Sequence, residues 1–384
     1  MLNLQRLFFN SSYKDSYHGG ILPSEGQKQH LTQAKNKIRD HLREGIERAS
    51  TTLLGQTQKI SPRFRTQGSW SYDTCNQPAH MPPQEMDWDL GLYLPISVWE
   101  DNRPKIAAAV YYRLLEDLLK SLCTREGWTL CPKETCVRVQ IGKSCHVDVP
   151  PYAAPDKEFV AIQERVLAKA LSLKESAMYA EAIAFSEMPE ADWDSLKEIV
   201  LATRSGEWKP SDPGVVSDWF RNQVEEHGEQ LRRICRYLKG WRDFQWVEGG
   251  PSSVSLMICA CQLFKSMRGR DDLALLEVAR ELGRKLEADL HEELIDERDD
   301  FNNLSHVDRI VAAEKAQNLY RALKGGLEAS QWEKMNVLTA LQAQFGSRMP
   351  LKVDWISDDT PLGVVRAAPA IIVPQPEVHP TKSG

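Results

Sequence analysis

Asp87 and Asp89 stand one residue apart in QEMDWDLGLYLP, a stretch that otherwise alternates apolar side chains. In a strand, successive side chains take opposite faces, so the two carboxylates share one face and Trp88 points to the other. Neighbouring carboxylates repel unless a cation sits between them. Hard oxygen ligands suit Mg²⁺ or Mn²⁺, which keep waters and take further ligands from substrate phosphates. A solvated strand beside a turn can carry the same pair, so its meaning depends on what accompanies it. Asp148, in HVDVP on a second predicted strand, supplies a third carboxylate for a two-metal site of in-line displacement. There one ion would carry a donor triphosphate and the other would lower the pKa of an attacking hydroxyl, with Asp148 assisting its deprotonation.

Upstream, Gly68 and Ser69 form a Gly-Ser pair in RTQGSWSYDT. Glycine permits close backbone approach or positive φ, and the neighbouring amides with the serine hydroxyl can hold phosphate oxygens. Downstream, Arg236 and Lys239 in RRICRYLKGW are three apart, hence on one helical face, where they could meet a triphosphate or simply face solvent. Ser252 and Ser253 follow Pro251 at an expected helix start, where a hydroxyl caps and the free amides favour an anion. Gly-Ser, a loop, DxD and a later strand aspartate together describe a DNA-polymerase-β-like nucleotidyltransferase core.

The elements that must position these groups are legible in outline. Helical spacing runs through 30–49 and 105–123, and alternation through 87–95 and 135–152, so the N-terminal part reads as mixed α and β. Strand signals fade from about residue 157. Helices are expected over 217–244, divided near Gly228, and over 252–267, 271–290, 309–329 and 331–345. The expected architecture is therefore α+β and bilobal. It comprises a nucleotidyltransferase core with an N-terminal helix (1–156), a mainly helical lobe (157–355) and a flexible Pro-rich tail (356–384).

Composition narrows the function. At 384 residues, 42% hydrophobic and 27% charged, the chain is of ordinary globular make-up. A formal net charge of -6 argues against a long nucleic acid as partner, because such proteins need a basic stripe. No apolar run is long enough to span a membrane, and the first residues lack signal-peptide features. The eight cysteines are scattered, as in a reduced cytoplasmic protein. Cys131, Cys136, Cys145 and His146 lack the paired spacing of a zinc site, so buried free thiols are expected.

The segments PRFRTQGSWSYDT, QEMDWDLGLYLP, HVDVPPYA, SDPGVVSDWF, RYLKGWRDFQW and GGPSSVSLM resemble the cGAS/DncV-like nucleotidyltransferases of bacterial antiviral systems, above all the DncV-type cyclic GMP-AMP synthases. The resemblance runs from about residue 15 to 270. It implies ATP and GTP as substrates, two Mg²⁺ ions (or Mn²⁺), a linear intermediate, pyrophosphate release and a 3′,3′-cyclic product read by a downstream effector. By motif, it implies that Gly68 and Ser69 bind donor phosphates and that Asp87, Asp89 and Asp148 bind the metals. Tyr72 would stack on a base, Arg138 would contact the acceptor nucleotide, and Ser211 would contact a base. Lys239 and Ser253 would contact triphosphate, with Arg236 beside the lysine, and Asp300 would read guanine. The C-terminal Gly384 would be joined to a target by a ubiquitin-like transfer enzyme of E1/E2 type. Arg65 stands where an aromatic precedes the Gly-Ser motif in the DncV type, and the segment before SPRF is shorter, so a regulatory pocket built from those parts does not carry over. Another cyclic di- or trinucleotide product, template-independent RNA extension, and a non-catalytic conjugated scaffold remain as alternatives.

Overall fold

The computed structural model describes residues 1–12, 14–52, 59–95, 104–154, 199–211 and 213–358. Its centre is an eight-stranded sheet. The strands are β1 (Arg63–Gln67), β2 (Met86–Pro95), β3 (Thr129–Pro132), β4 (Val137–Gln140), β5 (Cys145–Val149), β6 (Pro151–Ala154), β7 (Val200–Ala202) and β8 (Trp208–Pro210). They lie in the order β3-β4-β5-β2-β6-β7-β8, with β1 also paired to β2.

Strand β2 organises this sheet. Its first half pairs in parallel with β5, Met86 opposite Cys145 through Asp89 opposite Asp148, and its second half with β6, Leu92 opposite Pro151 through Pro95 opposite Ala154. The Leu92 amide donates to Pro150 O across the junction at 3.0 Å, so β5 and β6 run beside β2 as one extended segment. The other edge of β2 takes β1 antiparallel. Alternation then sorts the side chains. Met86, Trp88, Leu90, Leu92 and Leu94 enter one core with Val137, Val139, Val147 and Val149. Helices α1 (Glu25–Thr52) and α2 (Pro104–Glu126) cover that face with Leu31, Ile38, Leu42, Leu115 and Leu119. The opposite face is left to polar side chains.

The second lobe consists of α3 (Pro213–His227), α4 (Glu229–Gln245), α5 (Ser253–Leu263), α6 (Asp271–Glu287), α7 (His306–Glu328) and α8 (Lys334–Phe345), with shorter turns between. Gly228, at φ +82°, separates α3 from α4 where the sequence suggests a break. This lobe has its own core, and the chain's first residues belong to it: Leu2, Leu4, Leu7, Phe8, Tyr17 and Ile21 are buried there. Leu2–Asn3 pairs antiparallel with Ser357–Asp358.

Three boundaries differ from the sequence reading. The sheet continues through β7 and β8, past the expected edge at 157, because two three-residue strands are too short to show alternation. The N-terminal segment packs with the helical lobe rather than the sheet. Residues 357 and 358, placed in the tail from composition, are held by the N-terminal strand. Gly384 and most of the tail lie outside the described residues. All eight cysteines are free, seven of them buried. No described helix is long and apolar enough to cross a membrane.

One buried carboxylate holds much of the second lobe. Asp271 is fully buried and accepts from Arg233 Nε and Nη2 (2.6 and 2.9 Å), Gln230 Nε2 (2.9 Å) and Tyr237 Oη (2.9 Å). Removing it leaves a guanidinium and a phenol without their partner, so Asp271→Ala is expected to cost about 3–5 kcal/mol. Urea unfolding of the full chain measures this, and a loss below about 1 kcal/mol, the worth of a surface pair, would contradict the assignment.

Candidate active site

The polar face of the sheet is a small grid set by register. Asp87 lies opposite His146 and Asp89 opposite Asp148 across β2 and β5, while Gln140 lies opposite His146 and Arg138 opposite Asp148 across β4 and β5. Glu85, just before β2, binds both neighbours at one end. Its Oε2 is 2.7 Å from His146 Nδ1, and its Oε1 accepts from Gln140 Nε2 at 2.7 Å. At the other end Arg138 grips Asp148 with both arms, Nε to Oδ1 and Nη2 to Oδ2, each at 2.8 Å. His146 Nε2 is buried without a hydrogen-bond partner, 3.9 Å from Asp148 Oδ2.

The Gly-Ser turn meets this grid from the β1 side. Pairing of β1 with β2 ends at Gln67 opposite Asp89, and Gly68 follows at φ +62°. At that φ glycine alone is free of strain, and a Cβ there would also force the Asp89 carboxylate, whose Oδ2 it would meet, to turn aside. Residues Gly68–Ser71 form one helical turn. Trp70 Nε1 donates to Asp87 O at 2.8 Å, and its ring stacks on Trp88 at 4.5 Å. The loop beyond is clamped by α4: Arg236 donates to Cys75 O (2.6 Å) and Asp73 Oδ1 (2.8 Å), and Lys239 Nζ to Thr74 O (2.7 Å). Burial holds the Lys239 ammonium below its ordinary pKa.

A cavity of about 510 Å³ opens between the lobes, within the usual size range for ligand pockets. Gly68, Ser69, Asp87, Asp89, Arg138 and His146 form one wall, and Lys239, Arg242 and Ser253 stand on the other. The carboxylates create a negative spot. Asp89 is pushed up to about 7, first by burial and then by Asp87 and Asp148, with Arg138 opposing. The oxygen donors of Asp87 and Asp89 fit a hard divalent cation that neutralises this repulsion. Among the described residues no group of three or more His, Cys, Asp or Glu side chains forms a ready-made metal cage, and Asp148, the third carboxylate, has both oxygens taken by Arg138.

The remaining residues singled out from sequence fall into two groups. Tyr72 lines the cavity while its ring packs edge-on against Phe220 at 5.6 Å. Ser253 lines it too and accepts from Arg242 Nη2 at 3.3 Å. Four others lie outside its lining. Ser252 caps α5, accepting from the Ser255 amide at 3.0 Å. Arg236 faces a second cavity of about 380 Å³ behind the Gly-Ser turn. Ser211 directly follows β8, its amide donating to Ile199 O at 3.1 Å. Asp300 accepts from the Leu290 and Asn302 amides and from Arg309, so both its oxygens serve the loop before α7.

Sequence reasoning passed over Glu85, Arg242 and the part His146 plays on this face. The period of two that paired Asp87 with Asp89 also pairs His146 with Asp148. Arg242, three residues past Lys239, shares its helical face and bonds Pro251 O at 2.8 Å beside the start of α5. Glu85 precedes the strand, yet it continues the same period of two through Asp87 and Asp89, a signal that could have found it.

The chain matches two family models. One is the nucleotidyltransferase domain of DncV-like cyclic GMP-AMP synthases, over residues 62–152, and the other is the cyclic GMP-AMP synthase C-terminal domain, over 228–357. A cyclic GMP-AMP synthase of Vibrio cholerae is 40% identical over 214 residues, covering 54% of this chain and 48% of the relative. One of Escherichia coli is 35% identical over 305 residues, covering 76% and 68%. The match thus spans about half the length of the first and two thirds of the second. Among solved structures, the V. cholerae di-nucleotide cyclase in complex with GTP and 5MTHFGLU2 has a TM-score of 0.76 at 25% identity, over 94% of this chain and 100% of that one. The V. cholerae synthase in complex with the linear intermediate pppA(3′,5′)pG has a TM-score of 0.73 at 24% identity, over 92% and 98%, a likeness of fold. With a DNA-polymerase-β-like sheet carrying the carboxylates and a helical lobe closing over them, the chain belongs to the DncV-like family of nucleotidyltransferases.

Proposed function

We propose that the protein joins ATP and GTP into 3′,3′-cyclic GMP-AMP through a linear intermediate, as a cytoplasmic second-messenger synthase of antiphage defence. The observation that carries this reading is the strand register that sets Asp87 and Asp89, which line the cavity next to the Gly68–Ser69 turn, beside Asp148 just behind that wall. The activity for which these relatives are named, and the intermediate in the V. cholerae complex, support the choice of bases. Gly384, outside the described residues, is the proposed attachment point for a ubiquitin-like transfer enzyme.

In each of two rounds the acceptor's 3′-oxygen attacks the donor's α-phosphorus, the bond to the β-phosphate's bridging oxygen breaks, and pyrophosphate departs. Gly68 and Ser69 hold donor phosphate oxygens on one wall. Lys239 and Arg242 offset triphosphate charge from the other, where the Ser253 hydroxyl can donate to a phosphate oxygen, and Tyr72, which lines the cavity, would stack on a base. Asp87, Asp89 and Asp148 would hold two Mg²⁺ or Mn²⁺ ions, which when bound stabilise charge on the attacking and leaving oxygens. Asp148, once its carboxylate is released from Arg138, would assist by receiving the hydroxyl's proton and passing it to solvent. Because Arg236 and Lys239 clamp the loop beyond the turn, the phosphate wall is ordered before substrate arrives, which lowers the cost of positioning.

Purified protein given Mg²⁺ and all four nucleoside triphosphates is expected to form a phosphatase-resistant product with the mass of cyclic GMP-AMP. Another cyclic product would correct the bases; absence of any would overturn the proposal. Asp87→Asn and Asp89→Asn are each expected to lower the rate at least about a hundredfold, since a metal ion supplies several kcal/mol and 1.36 kcal/mol is about tenfold. A variant within a few-fold of wild type would remove that aspartate from the site. Gly68→Ala is expected to lose at least about tenfold in rate, through a strained left-handed backbone and collision with Asp89; wild-type turnover would show that the turn does not shape the reaction.

A further inference from the structure

Asp148 is a poorer cation ligand while Arg138 takes one lone pair on each of its oxygens and fixes the direction the carboxylate faces. Arg138 and Asp148 are cross-strand partners, joined by two 2.8 Å hydrogen bonds. Their exposures differ: the Arg138 side chain is 28% exposed and lines the cavity, whereas that of Asp148 is 12% exposed and does not. A guanidinium fork matches phosphate as well as it matches carboxylate. Arg138 therefore stands between a buried carboxylate behind it and the space that triphosphates would enter.

We propose that Arg138 is a latch: it withholds Asp148 from the cation site until a nucleotide phosphate in the cavity takes the guanidinium. The inference rests on reading Asp148 as a metal ligand and deepens that reading by giving the site an order of assembly. Asp87 and Asp89 open directly to the cavity and hold a first cation without rearrangement. Asp148 joins only when substrate phosphate has drawn Arg138 away. His146, held by Glu85, sets its Nε2 3.9 Å from Asp148 Oδ2 on the other side. Arg138 acts here through Asp148 and is a positioning residue in this role. Nucleotide and cation then bind with positive coupling, and the complete carboxylate set exists only with substrate present.

The test is Mn²⁺ binding to the full chain without nucleotide, read from the electron paramagnetic resonance of free Mn²⁺. The variants are Arg138→Lys and Arg138→Gln, each alone and combined with Asp148→Asn. Lysine keeps the positive charge but presents a single ammonium rather than a fork, which leaves one Asp148 oxygen free. Both single variants are expected to bind Mn²⁺ about tenfold more tightly than wild type, within the usual range of coupling between sites, and Asp148→Asn is expected to abolish the gain. If Arg138→Lys binds like wild type and only Arg138→Gln gains, removal of a like charge is the cause and the latch is wrong. A gain that survives Asp148→Asn overturns it as well. Val137 and Val139 face the core while residue 138 faces the site, so the fold tolerates these changes, and thermal melts of each variant verify it. Failure of the cyclase reading would instead appear as absence of product from wild type, which leaves the Mn²⁺ comparison intact.

Discussion

Everything at this site depends on the hydrogen-bonded register between β2 and β5. Parallel pairing of Asp89 with Asp148 sets two acidic side chains next to each other on one face, an arrangement that costs free energy unless a cation or a guanidinium intervenes. A slip of one residue would turn every carboxylate into the apolar core and every core residue outward. The packing of Trp88, Leu90, Val147 and Val149 under α1 and α2 therefore does double duty. It stabilises the lobe by burying apolar area, and it prevents the register from moving.

The two lobes meet through cations that the helical lobe extends into the sheet lobe. Arg236 and Lys239 are buried, and desolvating them is unfavourable unless their protons find acceptors. They find them in the backbone carbonyls and side chains of residues 73–76, the loop that follows the Gly-Ser turn. Residues whose charge suggests phosphate binding thus also fix the geometry of the phosphate-binding segment. Lys239 reaches the cavity wall; Arg236 lies behind the turn and has a purely positioning place.

Much of the fold was legible because its long elements carry strong periodicity. The helices at 25–52, 104–126 and 229–245 and the strand at 86–95 follow from apolar spacing at periods of 3.6 and 2. The strand at 63–67 escaped notice because its five residues carry two arginines and a glutamine. The strands at 200–202 and 208–210 escaped notice because three residues cannot display a period. The allegiance of the first 21 residues to the helical lobe has no local signal; Leu4 N–H reaches Asp272 at 2.8 Å across 268 positions of sequence.

Local chemistry, by itself, determined that Asp87 and Asp89 share a face, that Gly68 sits where a side chain would be unwelcome, and that Asp148 lies on another strand of the same kind. These follow from alternation and from glycine's backbone freedom, which need no knowledge of distant contacts. Only the tertiary structure decided that Arg138 holds Asp148, that Glu85 and His146 close the row, and that Asp300 and Ser252 serve their own loop and helix end. Those pairings join residues on separate elements, or spend a polar side chain on a neighbour that spacing does not reveal. Their partners are chosen by strand register and loop closure, which exist only once the chain has folded.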